Sequence, residues 1–181
     1  MALANVEALK YYFLECYLFD DVNKNFQKNG CLTSEEFFAI VIWKSNRAKT
    51  IVRKGIGKSG KTVSAITSEV SRAKTRKDKL EALRKIRGIG IPMASAILTV
   101  CYPDDFTLVD YRARTALKDY FGAEIMGNPT VNPSAYFEYL DKCKELANEN
   151  NLSLRNFDRI LLGRYFYEGK NGLKHLAERT D

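Results

Sequence analysis

The 181-residue chain holds one histidine, one tryptophan and four cysteines. The cysteines stand at positions 16, 31, 101 and 143, with neither metal-ligand spacing nor a disulfide framework. They are expected as small buried hydrophobes in a reducing compartment. The lone histidine, His175, lies in the tail and is expected at the surface. No apolar run approaches the roughly 18 residues of a membrane span. Glu7, Lys10, Glu15 and Asp20 interrupt the first twenty residues, so no signal peptide is expected. A cytoplasmic protein with no membrane partner follows as the expectation. No internal repeat is visible, and only Thr107–Val109 has a faint strand character.

Positive charge is abundant, and it is concentrated. The net charge is +7. Between Lys44 and Arg87 there are 15 Lys or Arg against three acids, Glu69, Asp78 and Glu81. That block alone carries +12, which leaves −5 on the remainder. A basic block on a mildly acidic body points to a polyanion partner; a solvated basic surface is the plainer alternative.

Helical periodicity runs through the chain. Val6, Leu9, Tyr12, Phe13, Cys16 and Tyr17 share a face of a helix over 4–18, with Asn5 as its cap. Asn29-Gly30 marks a turn. Thr33-Ser-Glu-Glu36 is a capping box and predicts a helix from Ser34 to about Trp43. A basic helix is expected near Asn46–Lys54. Gly55-Ile-Gly-Lys-Ser-Gly60-Lys61-Thr62 satisfies the P-loop pattern. A P-loop nucleotide site also needs a buried strand before it, and the preceding AKTIVRK is basic. A Gly/Ser/Lys loop before a helix bearing Val63, Ile66 and Val70 is therefore expected. Later helices are expected from Tyr111 to about Tyr120, from Asn132-Pro133 to about Asn148, and over 154–167 after Ser153. Arg155 and Asp158 are placed to pair within the last of these.

The stretch Leu83–Arg114, LRKIRGIGIPMASAILTVCYPDDFTLVDYRAR, organises the rest. Leu80, Leu83 and Ile86 lie at helical spacing in a basic helix over 77–86. Gly88 and Gly90 flank Ile89. Ile91 and Pro92 then open an apolar helix over 92–101, proline being favourable at the first helical position. Helix, tight turn and helix create an anion site, because free amides and the helix dipole face outward there. Lys85 and Arg87 add charge.

This pattern resembles the helix-hairpin-helix DNA glycosylase superfamily, the endonuclease III-like base-excision proteins. Leu83, Ile86, Gly88, Ile89, Gly90 and Ala94 match the hairpin signature. Asp110 follows Gly90 by 20 positions, the spacing of the family's catalytic Asp. The resemblance implies an all-α fold of two helical lobes, one holding the hairpin (about 30–130) and one completed by both chain ends (about 1–29 and 131–181). It implies a monomer that binds double-stranded DNA, nucleoid-associated when bound, through Lys85, Arg87, Gly88, Ile89, Gly90 and Ile91. A monovalent cation at the hairpin is compatible with it. The family's iron–sulfur cluster is not expected, since no Cys follows Cys143.

Asp110 precedes a helix and so qualifies as an ordinary N-cap. The resemblance adds a role. Breaking a base–sugar bond builds positive charge on the sugar, and a carboxylate can stabilise that charge or take a proton from the attacking water. Pro92 stands where bifunctional relatives carry a nucleophilic Lys, so a monofunctional enzyme without lyase activity is implied. Tyr111-Arg112 after Asp110 departs from the better-known branches and leaves the base undefined. A flipped base needs flat or apolar walls; Trp43, Tyr102 and Phe106 are candidates, with Tyr11 and Tyr12. The alternatives are a non-catalytic helix-hairpin-helix DNA-binding protein and a P-loop nucleotide binder.

Overall fold

The computed structural model describes residues 13–169 and 172–177. It is all-α, with 73% helix and no strand among the described residues. Asn5, Val6, Leu9, Tyr11 and Tyr12 lie outside the described residues. The chain separates into two compact units, Met1–Tyr102 and Pro103–Asp181.

In the first unit, a short helix α1 (Leu14–Cys16) continues as a π-helical stretch, Tyr17–Val22, into α2 (Asn23–Asn29). Gly30 ends α2 with φ +67°, the left-handed conformation that glycine adopts without strain. Helix α3 (Ser34–Ser45) begins with the predicted capping box: Thr33 accepts from the Glu36 amide, and Glu36 accepts from the Thr33 amide. A 3₁₀ turn, Asn46–Ala48, leads into α4 (Lys49–Ser59). Helices α5 (Val63–Arg72), α6 (Arg76–Arg84) and α7 (Ile91–Cys101) follow.

Helix α7 is the centre of this unit. Apart from Pro92, every residue in it is buried; its two hydroxyl side chains, Ser95 and Thr99, donate to carbonyls of the preceding turn. Its last carbonyls, which no further turn of helix can satisfy, accept from α2: Asn23 donates to Val100 (2.8 Å) and Gln27 to Cys101. Residues 17–29 pack against the helix after the turn, and Phe26 is fully buried with them.

The second unit holds α8 (Tyr111–Phe121), α9 (Pro133–Glu149), α10 (Leu154–Glu168) and α11 (Leu173–Ala177). Asn132 and Ser153 cap α9 and α10 as expected. Ala113, Ala116 and Leu117 of α8 and Leu154, Phe157 and Leu161 of α10 are buried, and Phe121 meets Phe157 at 5.0 Å between ring centroids. Arg155 and Asp158 form the expected pair within α10. Thr107–Val109 forms no strand.

Candidate nucleic-acid interface and the setting of Asp110

Helix α6 ends at Arg84, a turn occupies residues 85–90, and α7 begins at Ile91. Leu80, Leu83, Ile86, Ile89 and Ile91 are all buried and anchor the turn from below. Within it, Ile86 donates to Leu83 and Ile89 to Ile86, each at 3.0 Å. Gly88 has φ +92°, a conformation closed to most side chains. Gly90 caps α7: its carbonyl accepts from Met93 and Ala94. No main-chain acceptor among the described residues takes the amides of Gly90 and Ile91. Lys85, Arg87 and Gly90 are exposed. The side chains of Ile89 and Ile91 are in the core, so a ligand meets those two residues only through their main chain.

The turn rests on α4 through two glycines. A Cβ on Gly55 would lie 1.9 Å from the Arg87 carbonyl oxygen, and one on Gly88 would lie 3.1 Å from the Ile51 carbonyl carbon. Two backbones touch where side chains are missing. With the carbonyls of Ile86 and Gly90 bonded and that of Arg87 against Gly55, those of Lys85, Gly88 and Ile89 are the turn's candidates for the cation that the resemblance allows.

Gly55–Thr62 does not form the strand–loop–helix arrangement of a nucleotide-binding P-loop. Residues 55–59 belong to α4, which continues past the expected boundary at Lys54, and no strand precedes them. Each fixed letter of the pattern has a local task. Gly55 admits the turn. Gly60, at φ +68°, ends α4. Lys61 pairs with Glu69, and its ammonium holds that carboxyl below the usual range. Thr62 caps α5 by accepting from the Ala65 amide. The hydroxyl that would hold magnesium in a nucleotide site is already committed.

Asp110 belongs to the second unit. Its backbone is extended, and it caps α8 by accepting from the Ala113 amide at 3.0 Å. Its other oxygen lies 3.7 Å from Arg112 Nε, and the side chain is 17% exposed. The segment that delivers it is fixed from α9. Tyr136 donates to the Thr107 carbonyl (3.0 Å) and Tyr139 to the Leu108 carbonyl (3.2 Å); both rings are fully buried. Burial, with the nearby Cys143 and Asp158, pushes the Tyr139 phenol well up. Neither tyrosine stands out in the sequence. The available signal is that a buried tyrosine hydroxyl requires a partner, and a loop offers free carbonyls.

Each of the expected base walls has partners within its own unit. Trp43 meets Phe19 edge-on at 5.9 Å. Tyr102 packs against Phe26, and Lys79 sits over its ring and donates to its hydroxyl. Phe106 is buried in the second unit. Within the second unit, an aromatic depression of about 420 Å³ next to Asp110 is lined by Tyr111, Tyr120, Tyr165 and Phe166, with Thr115 and Asp119. Tyr111 is 68% exposed. Arg112 lies over the Phe166 ring. Burial raises the Tyr165 phenol, and Tyr111 and Asp110 add to that shift.

Cys101 and Cys143 are buried and their thiols pushed far up by burial, as expected of inert packing cysteines. Cys16 is exposed and Cys31 half-buried. His175 is half-buried. Among the described residues no group of three or more His, Cys, Asp or Glu is placed to hold a metal ion, and no helix is long and apolar enough to cross a membrane. Compared with known proteins, the chain matches no family model, no curated protein and no solved structure.

Proposed function

We propose that the protein binds duplex DNA through the turn at Gly88–Gly90 and hydrolyses the base–sugar bond of a damaged or mispaired nucleotide, as a monofunctional DNA N-glycosylase. The observation that carries this reading is the turn itself. An exposed glycine opens a buried eleven-residue helix, an exposed arginine stands three residues before it, and no acid lies in that helix's first turn. Such a terminus favours an anion by its amides and by its dipole, and the +12 block supplies further attraction for a polyanion.

For the chemistry, the extruded base leaves a sugar that gains positive charge, and a fixed carboxylate favours that state over the ground state. Asp110 is held by its helix and by the two tyrosine-bonded carbonyls before it. Pro92 has no nucleophile, so water attacks and the strand stays intact.

A non-catalytic DNA-binding protein is the second reading, and one observation favours it. Both oxygens of Asp110 already have company, one as a cap and the other facing Arg112. A panel of duplexes carrying different lesions separates the two. Base release that requires Asp110 supports the enzyme. Binding to the duplex with no lesion excised supports the second reading. An affinity that stays constant between low and moderate salt would remove the phosphate-binding premise of both.

A further inference from the structure

Helix α4 presents cations that the hairpin reading does not use. Thr50, Lys54 and Lys58 follow one another along a single face at helical spacing, and Arg47, in the 3₁₀ turn just before the helix, precedes Thr50 by three residues. With Ile51 and with Arg87 from the turn they line a depression of about 470 Å³. All six residues are exposed, and no acid is among them.

The cations around this depression differ from their neighbours in pairing. Lys61 is bonded to Glu69, and Arg84 to Glu81. Even Lys85, at the turn, lies close enough to help lower the Glu69 carboxyl. Arg47, Lys54, Lys58 and Arg87 make no ion pair among the described residues. Four like charges gathered without an acid repel one another, and a bound anion relieves that repulsion.

We propose that this face of α4, with Arg47, Lys54, Lys58 and Arg87, is a second phosphate-binding site, which grips the duplex backbone beside the turn. The proposal rests on the reading of the protein as a duplex-DNA binder. It assigns DNA contact to a helix outside the hairpin and extends the phosphate contacts beyond one helix terminus. The bare Cα atoms of Gly55 and Gly88 seat the turn on α4, so the two sites are held at a fixed offset. The ligand is a phosphodiester and not a lipid surface. Ile51 is the one large apolar side chain on this face, and its backbone and side chain support Gly88, so no apolar stripe is left to enter a bilayer. Arg87 borders both sites and joins them.

The test is the salt dependence of binding to a fluorescent duplex oligonucleotide by the full chain. Lys54→Gln, Lys58→Gln and the double variant keep long side chains with good helix propensity, and the helical circular dichroism signal verifies folding. Lys61→Gln is the control, a lysine only three residues beyond Lys58 whose charge Glu69 already answers. The double variant should flatten the log–log slope by about one to two, with affinity near 0.15 M salt falling about fivefold for each phosphate left unneutralised. The control should keep the wild-type slope. A folded double variant with wild-type slope and affinity overturns the site while the duplex-binding reading stands. A wild-type protein that binds no duplex even at low salt overturns both. Binding to phosphatidylserine vesicles but not to duplex, abolished in the double variant, would reassign the face to membranes and overturn the proposal.

Discussion

Tyr139 donates its hydroxyl to the carbonyl of Leu108, two residues before Asp110, from a ring that is wholly buried. One turn earlier on the same helix, Tyr136 does the same for Thr107. The two bonds tie the loop that leads into Asp110 to that helix. Tyr139→Phe removes the donor and leaves the Leu108 carbonyl buried without it, at a cost of about 1–3 kcal/mol. Urea unfolding should show that loss, and any excision activity should fall further than stability alone explains.

The same tyrosine sets an alkaline limit. Its phenol is raised in the folded protein, mainly by burial. A raised acid contributes stability that is complete below its unfolded value, near 10, and lost as pH rises above it. The buried thiols of Cys101 and Cys143 act in the same direction from about pH 9. Stability should therefore fall through pH 9–11. In Tyr139→Phe the part of that slope above pH 10 should flatten.

The two glycines of α4 make opposite predictions. Gly55→Ala drives a methyl group into the Arg87 carbonyl and should destabilise by about 1–3 kcal/mol or more, with weaker duplex binding. Gly57 is exposed and helical with nothing within 4 Å of an added Cβ. Gly57→Ala should stabilise by roughly 0.5–1 kcal/mol. Thermal melts of the two variants check both signs.

Asp110→Asn keeps an acceptor for the Ala113 amide and should leave folding and duplex affinity nearly unchanged. The rate of base release should fall by roughly a hundredfold or more, the scale for losing one electrostatic stabiliser. Single-turnover excision on a competent lesion measures it. Borohydride should trap no covalent adduct, because Pro92 carries no amine.

Specific nucleotide binding at Lys61 is not expected. Equilibrium dialysis with labelled ATP and magnesium should show no uptake that Lys61→Ala abolishes. Micromolar binding dependent on that lysine would overturn the assignment of Gly55–Ser59 to a helix.

Signals that act over one turn of chain are legible in the sequence. Thr33 with Glu36, Asn132 with Pro133, and Ser153 each mark the helix they begin, because a cap acts on amides two or three residues away. The turn at Gly88–Gly90 is legible for the same reason. What escapes depends on partners far along the chain. Gly55 reads as a helix breaker until the Arg87 carbonyl is seen against it. Tyr136 and Tyr139 read as helix-face aromatics until their carbonyls, 29 and 31 positions earlier, are known. Trp43, Tyr102 and Phe106 suggest themselves by ring chemistry, which does not tell a core ring such as Phe106 from a half-buried or an open one. Tyr111 and Phe166 are among the open ones, exposed on α8 and α10.

The four letters that imitate a nucleotide motif are unequally replaceable. Arg serves as well as Lys at position 61 for an exposed pair of small value. Ser, Asp or Asn serves at position 62 as a cap, and Asn tolerates the left-handed conformation at position 60. At position 55 even one methyl group is too much. In a library of functional variants the imitation should decay from its C-terminal end. Gly55 should outlast the rest, and the string will have ceased to look like a nucleotide site long before the protein loses its fold.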